Sequence, residues 1–177
     1  TYNSNFWPVK VMNDIRFATK ADLDAIAEIY NYAIAAGGQT GHQHVLSVEY
    51  WSGWLMEHSS PEYPVWVMEV NGKIAGWASL SPYRKGREAF RSVAEISYYV
   101  HPSFFRLKTA TALLQMAELF ASQNEITTLL AIVIAGNIPS IAFLEKSGFQ
   151  HWGTLPEIVQ TMNGPSDHLY YGKKIRR

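Results

Sequence analysis

The chain has 177 residues, with 15 basic and 15 acidic side chains, a formal net charge of zero, 47% apolar and 17% charged residues, and no cysteine. That composition is globular and fits one ordinary domain with a buried core, and its charge balance supplies no bulk drive toward nucleic acid or an anionic membrane. The missing cysteines exclude a disulfide framework, thiolate metal sites and a cysteine nucleophile. They suit a reducing cytoplasm, and no window of about 18 apolar residues predicts a membrane span.

The opening stretch, "TYNSNFWPVKVMND", lacks a charged segment followed by an apolar one and does not read as a signal peptide. Residues 1–14 read as an N-terminal extension, ahead of a single domain over residues 15–177. "IRFA", Ile15 to Ala18, predicts a short strand. Thr19 with Asp22 three residues later approximates a capping box. Leu23, Ile26, Ala27, Tyr30, Ala33 and Ile34 then form one apolar stripe at helical spacing, ending at Gly37 and Gly38. A second helix is expected after Ser47, with Glu49 near its positive end and Trp51, Trp54 and Leu55 facing inward.

Asn71 and Gly72 between two apolar runs predict a tight hairpin, because both residues tolerate positive φ. "AFRSVAEISYYV" predicts a long strand from Ala89 to Val100. A helix across about residues 108–122 follows, with Ala110, Leu113, Leu114, Ala117 and Phe120 toward the core. "TLLAIVIA" is a continuous apolar run, as in a strand buried on both faces. A last helix near residues 139–147 stops at Gly148, and residues 149–152 and 168–175 suit closing strands. Together these elements predict an α+β fold, a mixed sheet with helices on both faces.

Taken in order, "IRFATKADLDAIAEIYNYAI", "VNGKIAGWASLSPYRKGREAF", "VAEISYYVHP" and "GNIPSIAFLEKSGF" resemble the GNAT superfamily of acetyl-CoA-dependent N-acetyltransferases, within it most the phosphinothricin N-acetyltransferase-like group. The resemblance spans about residues 15–175. It implies a mostly antiparallel central sheet, acetyl-CoA as co-substrate with no metal, and a cytoplasmic homodimer. Beside Tyr98, Tyr99 and Val100 such proteins hold the pantetheine arm. The loop of Arg106, Leu107, Lys108, Thr109, Ala110 and Thr111 matches the one that holds the pyrophosphate on amides at a helix N-terminus. Asn137 and Ser140 match a further cofactor contact, and Asn137 also suits a helix cap.

This sequence departs from the family pattern in that loop. Phe105 occupies its usual first position and Lys108 its usual glycine, while Arg106 and Lys108 add two cations where a diphosphate would lie. Phe143 stands where many members carry a proton-donating tyrosine. Ser166 stands where a substrate-side histidine is expected, and "GGQTGHQHVLSVEYW" diverges.

Glu95 interrupts an otherwise apolar strand. By itself it reads rather as a side chain on the solvent face of an edge strand; the resemblance makes it the general base, its pKa raised by desolvation. Arg84 and Arg87 carry planar guanidinium groups suited to an acceptor carboxylate, with Tyr83 as a pocket wall; the alternative is an exposed charged loop. His42 and His44 lack a third ligand at recognisable spacing. The expected activity is direct acetyl transfer, in a ternary complex, to a small amino-acid-like primary amine, without nucleic-acid or membrane partners. Its rivals are a degenerate binding module and a peptide or protein N-acetyltransferase.

Overall fold

The computed structural model describes residues 14–58 and 61–176; of the extension over residues 1–14, all but Asp14 lies outside them. The chain runs β1 (Ile15–Phe17), α1 (Leu23–Ala36), α2 (Val48–Glu57), β2 (Val65–Val70), β3 (Lys73–Pro82), β4 (Val93–Val100), α3 (Thr109–Gln123), β5 (Thr128–Ile134), α4 (Ile138–Lys146), β6 (Gln150–Thr161) and β7 (Gly164–Lys174). Short 3-10 turns lie at Lys20–Asp22, Glu88–Phe90 and Pro102–Phe104. The strands form one sheet in the order β1-β2-β3-β4-β5-β7-β6. Only the β4–β5 neighbours are parallel, and they are joined by a crossover through α3, the connection a parallel pair requires.

Period-2 alternation assigns the strand residues to two cores. On one face, Ala78, Leu80, Ile96 and Leu129 pack with Leu113 and Ala117 of α3 and Leu144 of α4. On the other, Val67 and Trp77 pack with Ile26, Ile29 and Tyr30 of α1 and Trp51 of α2. The aromatic rings there meet edge to face, Trp51 on Tyr30 at 4.9 Å and on Trp54 at 5.0 Å, a geometry favoured by the ring quadrupoles.

The Asn71-Gly72 hairpin forms as expected, with φ of 52° and 74°. The predicted cap forms too. Asp22 accepts from the Thr19 amide at 2.7 Å and takes two parallel bonds from Arg16 at 2.8 and 2.7 Å, which hold its carboxyl below the usual range.

Three expectations are corrected. The third long strand starts at Val93 rather than Ala89, because residues 88–90 form a 3-10 turn. The α3 face that is buried carries Thr109, Ala112, Leu113, Leu114, Ala117 and Ala121, whereas Ala110 is only half-buried. The closing strands are far longer than predicted. β6 and β7 make a hairpin whose middle is interrupted between Leu155 and Val159, where Pro156 lacks a ladder donor and Glu157 takes φ 54°. Gln43, in the α1–α2 connection, donates to the Gln160 carbonyl at 2.7 Å and so ties the two together. Among the described residues, no helix is long and apolar enough to cross a membrane.

Candidate active site

The site begins where the sheet divides. β4 and β5 pair over three positions, Val93 with Thr128, Ala94 with Leu129 and Glu95 with Leu130, and then separate. β4 continues along β3 as far as Val100 opposite Gly76, while β5 follows β7 to Ile134 opposite His168. Beyond Glu95, the backbone groups of β4 that face β5 therefore have no strand partner there, and a buried strand edge of that kind calls for an occupant.

A cleft of about 670 Å³ opens in this gap. Of the residues matched to a cofactor role, Tyr98, Tyr99, Val100, Arg106, Lys108, Thr109, Ala110, Thr111, Asn137 and Ser140 all line it. Leu107 does not, and points into solvent at 56% exposure. Ile96 and Ser97 on β4 and Tyr32 on α1 line the cleft as well; no motif had singled them out.

The loop at the head of α3 keeps a glycine-like backbone without glycine. Arg106 and Lys108 take φ of 65° and 62°, a conformation that costs an L-residue roughly 1–2 kcal/mol. Lys108 sits at the N-cap position, so the amides of the first turn, from Thr109 on, lack carbonyl partners within the helix. Thr109 is fully buried, and among the described residues its hydroxyl has no hydrogen-bond partner. Replacing Lys108 with Gly should raise the stability by about 1 kcal/mol, since the left-handed penalty is removed. Urea unfolding measures this, and an unchanged midpoint would mean that Lys108 bears no such strain.

Across the cleft, Asn137 caps α4 by accepting from the Ser140 amide at 3.3 Å. The Ser140 and Tyr98 hydroxyls are 2.6 Å apart, and the Tyr98 ring meets Phe143 edge-on at 5.3 Å. Burial pushes the Tyr98 hydroxyl up to about 12, so it stays protonated at neutral pH.

Glu95 is half-buried, and among the described residues its carboxylate has no hydrogen-bond or ion-pair partner. Burial alone pushes its pKa up. Its cross-strand partner is Ser81, and Ser81 lines a second cavity of about 690 Å³ together with Arg84, Arg87 and His58. The residues just after Glu95 line the cleft, and the residue opposite it lines the charged cavity. Tyr83 lines neither; it packs edge-on against Phe90 at 5.7 Å.

His58 and Ser81 were missed, although Trp77, Ser79 and Ser81 alternate along β3 and share a face with Glu95. Among the described residues, no group of three or more His, Cys, Asp or Glu gathers as metal ligands. His42 instead meets the Tyr30 hydroxyl at 2.6 Å.

Residues 15–170 match the family described as acetyltransferase (GNAT) domain. Over 162 residues, 91% of this chain and 98% of the relative, the sequence is 33% identical to YwnH of Bacillus subtilis strain 168, which carries a phosphinothricin acetyltransferase name. Over 89 residues, 50% of this chain and 52% of the relative, it is 38% identical to the L-methionine sulfoximine/L-methionine sulfone acetyltransferase of Salmonella typhimurium strain LT2. The solved structure of yncA from Salmonella typhimurium, described with its cofactor acetyl-CoA, superposes with a TM-score of 0.84 at 28% identity, covering 92% of this chain and 94% of that one.

Proposed function

The chain belongs to the GNAT acetyltransferases, and from that premise we propose that it transfers an acetyl group to the primary amine of a small amino-acid-like acceptor, directly and within a ternary complex. The observation that carries this reading is the position of Glu95, half-buried and without a hydrogen-bond or ion-pair partner among the described residues: the next residues, Ile96 and Ser97, line the cleft, and its cross-strand partner Ser81 lines the charged cavity.

The cleft suits acetyl-CoA. At Gly76 a Cβ would lie 2.8 Å from the Tyr99 carbonyl oxygen and 2.9 Å from Thr109 Cγ2, so the missing side chain lets the amide-rich start of α3 press against the sheet beside the gap. When bound, acetyl-CoA supplies an activated thioester carbonyl. The loop of Arg106, Leu107, Lys108, Thr109, Ala110 and Thr111 holds the pyrophosphate on its amides and two cations, and Asn137 and Ser140 close the far wall. Backbone groups of Tyr98, Tyr99 and Val100 pair with the pantetheine arm, and amides there polarise the thioester carbonyl. Arg84 and Arg87 hold the acceptor's carboxylate.

As the amine nitrogen bonds to the carbonyl carbon and the carbon–sulfur bond breaks, Glu95 takes the proton leaving nitrogen. Phe143 has no proton to give, and the Tyr98 hydroxyl protonates the departing sulfur. Tyr98→Phe should lower kcat about 10²-fold, the lower end of acid–base assistance, with acetyl-CoA affinity retained; an unchanged kcat would assign that proton to water. Residues 15–177 act as one catalytic domain, and exposed Trp152, Leu155 and Ile158 along edge strand β6 support pairing with a second copy.

Calorimetry with acetyl-CoA, CoA and dephospho-CoA on the purified chain tests the reading. Micromolar binding is expected, followed by acetylation of phosphinothricin or L-methionine sulfoximine. No binding up to millimolar concentration would leave the fold as an interaction module.

A further inference from the structure

The end of α2 meets β3 through a histidine whose two ring nitrogens are both engaged. His58 Nδ1 lies 2.9 Å from the Trp54 carbonyl oxygen and Nε2 lies 3.0 Å from Ser81 Oγ. The ring lies against Trp54 at 4.3 Å, which fixes its plane. A carbonyl oxygen can only accept, so in the neutral ring the proton sits on Nδ1. Nε2 then has a lone pair, and the bond to Ser81 runs from the serine hydroxyl to the histidine. With its proton committed to His58, Ser81 turns only lone pairs toward the cavity. Ser81 stands directly opposite Glu95 on the same face of the β3–β4 pair, a register that sets Cβ atoms about 4.5–5.5 Å apart.

We propose that the His58–Ser81 pair positions the acceptor amine, Ser81 serving as a second hydrogen-bond acceptor beside the Glu95 carboxylate. This rests on the assignment of Glu95 as the base. A neutral primary amine has two N–H groups and one lone pair. With one N–H on Glu95 and the other on Ser81, the lone pair is left for the thioester carbonyl. The proton on Glu95's side is the one removed as the C–N bond forms; the other stays in the amide product. His58 touches neither reactant, and acts through the direction of one hydroxyl.

The arrangement works in one protonation state. When His58 gains a proton, Nε2–H donates to Ser81, and the serine's own hydrogen turns into the cavity against the amine's N–H groups. Burial pushes the His58 pKa down, which keeps the working form at neutral pH. Glu57, its neighbour in sequence, favours the protonated ring and Lys85 opposes it. Glu62 and Tyr63 face the same cavity from ahead of β2, and Arg84, Arg87, Glu88 and Arg91 face it from the β3–β4 connection; Glu95 adjoins from β4 through Ser81.

Two measurements on the full chain test this. Nitrogen-15 NMR of labelled histidines, without acceptor, should find His58 as the Nδ1–H tautomer at neutral pH, and finding the Nε2–H tautomer overturns the proposal. The pH profile of kcat/KM with phosphinothricin, or L-methionine sulfoximine, as the acceptor probe gives the second readout. Ser81→Ala and His58→Ala should each lower kcat/KM for the amine about tenfold to a hundredfold, the worth of a hydrogen bond to a polar or charged group, with the KM for acetyl-CoA unmoved. His58→Gln, whose amide oxygen can accept from Ser81 without titrating, should recover part of that loss and shed one proton from the acid limb, below the ordinary histidine value of about 6.5. An acid limb identical in His58→Gln and wild type overturns the proposal, as does a Ser81→Ala enzyme with normal kcat/KM. Glu95→Gln separates the two levels: an active variant removes the base assignment and the positioning role with it. An inactive one beside a normal Ser81→Ala sinks only the positioning role. Failure of the wild type to acetylate either probe removes both the amino-acid acceptor and the device that would orient it.

Discussion

Replacing Glu95 with Gln is expected to lower kcat/KM about 10²–10⁴-fold, the usual worth of a positioned general base, while acetyl-CoA affinity stays at the wild-type value and thermal stability at pH 7 rises. The two effects have one cause. The carboxylate is half-buried and has no hydrogen-bond or ion-pair partner among the described residues, so desolvation disfavours its charged form and pushes its pKa above 4.5. A carboxyl whose folded pKa is raised contributes its stability below the unfolded pKa and loses it as pH rises through the folded value. As pH rises through the folded pKa the wild type therefore takes on the cost of an ionised group without a partner among the described residues, and glutamine removes it. The gain in melting temperature should be large at pH 7 and should shrink toward pH 4. Melts at the two pH values check this, and an equal gain at both would mean that the carboxylate is not destabilised by burial. In the wild type, activity should rise with pH through the Glu95 titration, since only the ionised form can take a proton.

Gly76→Ala is expected to damage binding and stability together. The alanine Cβ would fall 2.8 Å from the Tyr99 carbonyl oxygen, 2.9 Å from Thr109 Cγ2 and 3.3 Å from Leu113 Cδ1. The first of these atoms is backbone and cannot rotate away, so β4 or the start of α3 has to move. Overpacking a well-filled interior costs about 1–3 kcal/mol, readable as a lower urea midpoint. Tyr99 and Thr109 both line the cleft, and a misplacement near 1 Å at a reacting site can cost about 10²-fold in rate. Acetyl-CoA affinity should also fall, about tenfold or more, against a Gly72→Ala control in the distant hairpin turn. Retained affinity in a destabilised Gly76→Ala protein would show that the cofactor does not use the Thr109 end of the cleft.

Much of the architecture was legible because it is local. The Asn71-Gly72 turn, the apolar stripe of α1 and the unbroken apolar run of β5 are patterns over a few residues, and each produced the element expected. The long β6–β7 hairpin was not legible, since Pro156 and the bulge around Glu157 break the alternation that marks a strand. Ala110 was misassigned for a related reason: apolar spacing identifies a helix face without saying whether a core or a cleft lies beneath it.

The site divides in the same way. The sequence by itself determined the family resemblance, the helix-capping asparagine, the two cations of the α3 loop and the lone carboxylate in an apolar strand, because each is a residue type set in a short pattern. It also left Lys108 in place of glycine as an open question. Only the tertiary structure decided that Arg106 and Lys108 keep a left-handed backbone, that the separation of β4 from β5 begins just past Glu95, and that Ser81, bonded to His58, stands opposite Glu95 in the β3–β4 register. Strand separation and cross-sheet neighbours arise from pairings between residues far apart in the chain. Such pairings follow from the sum of packing over both faces of the sheet, and no single stretch of sequence contains them.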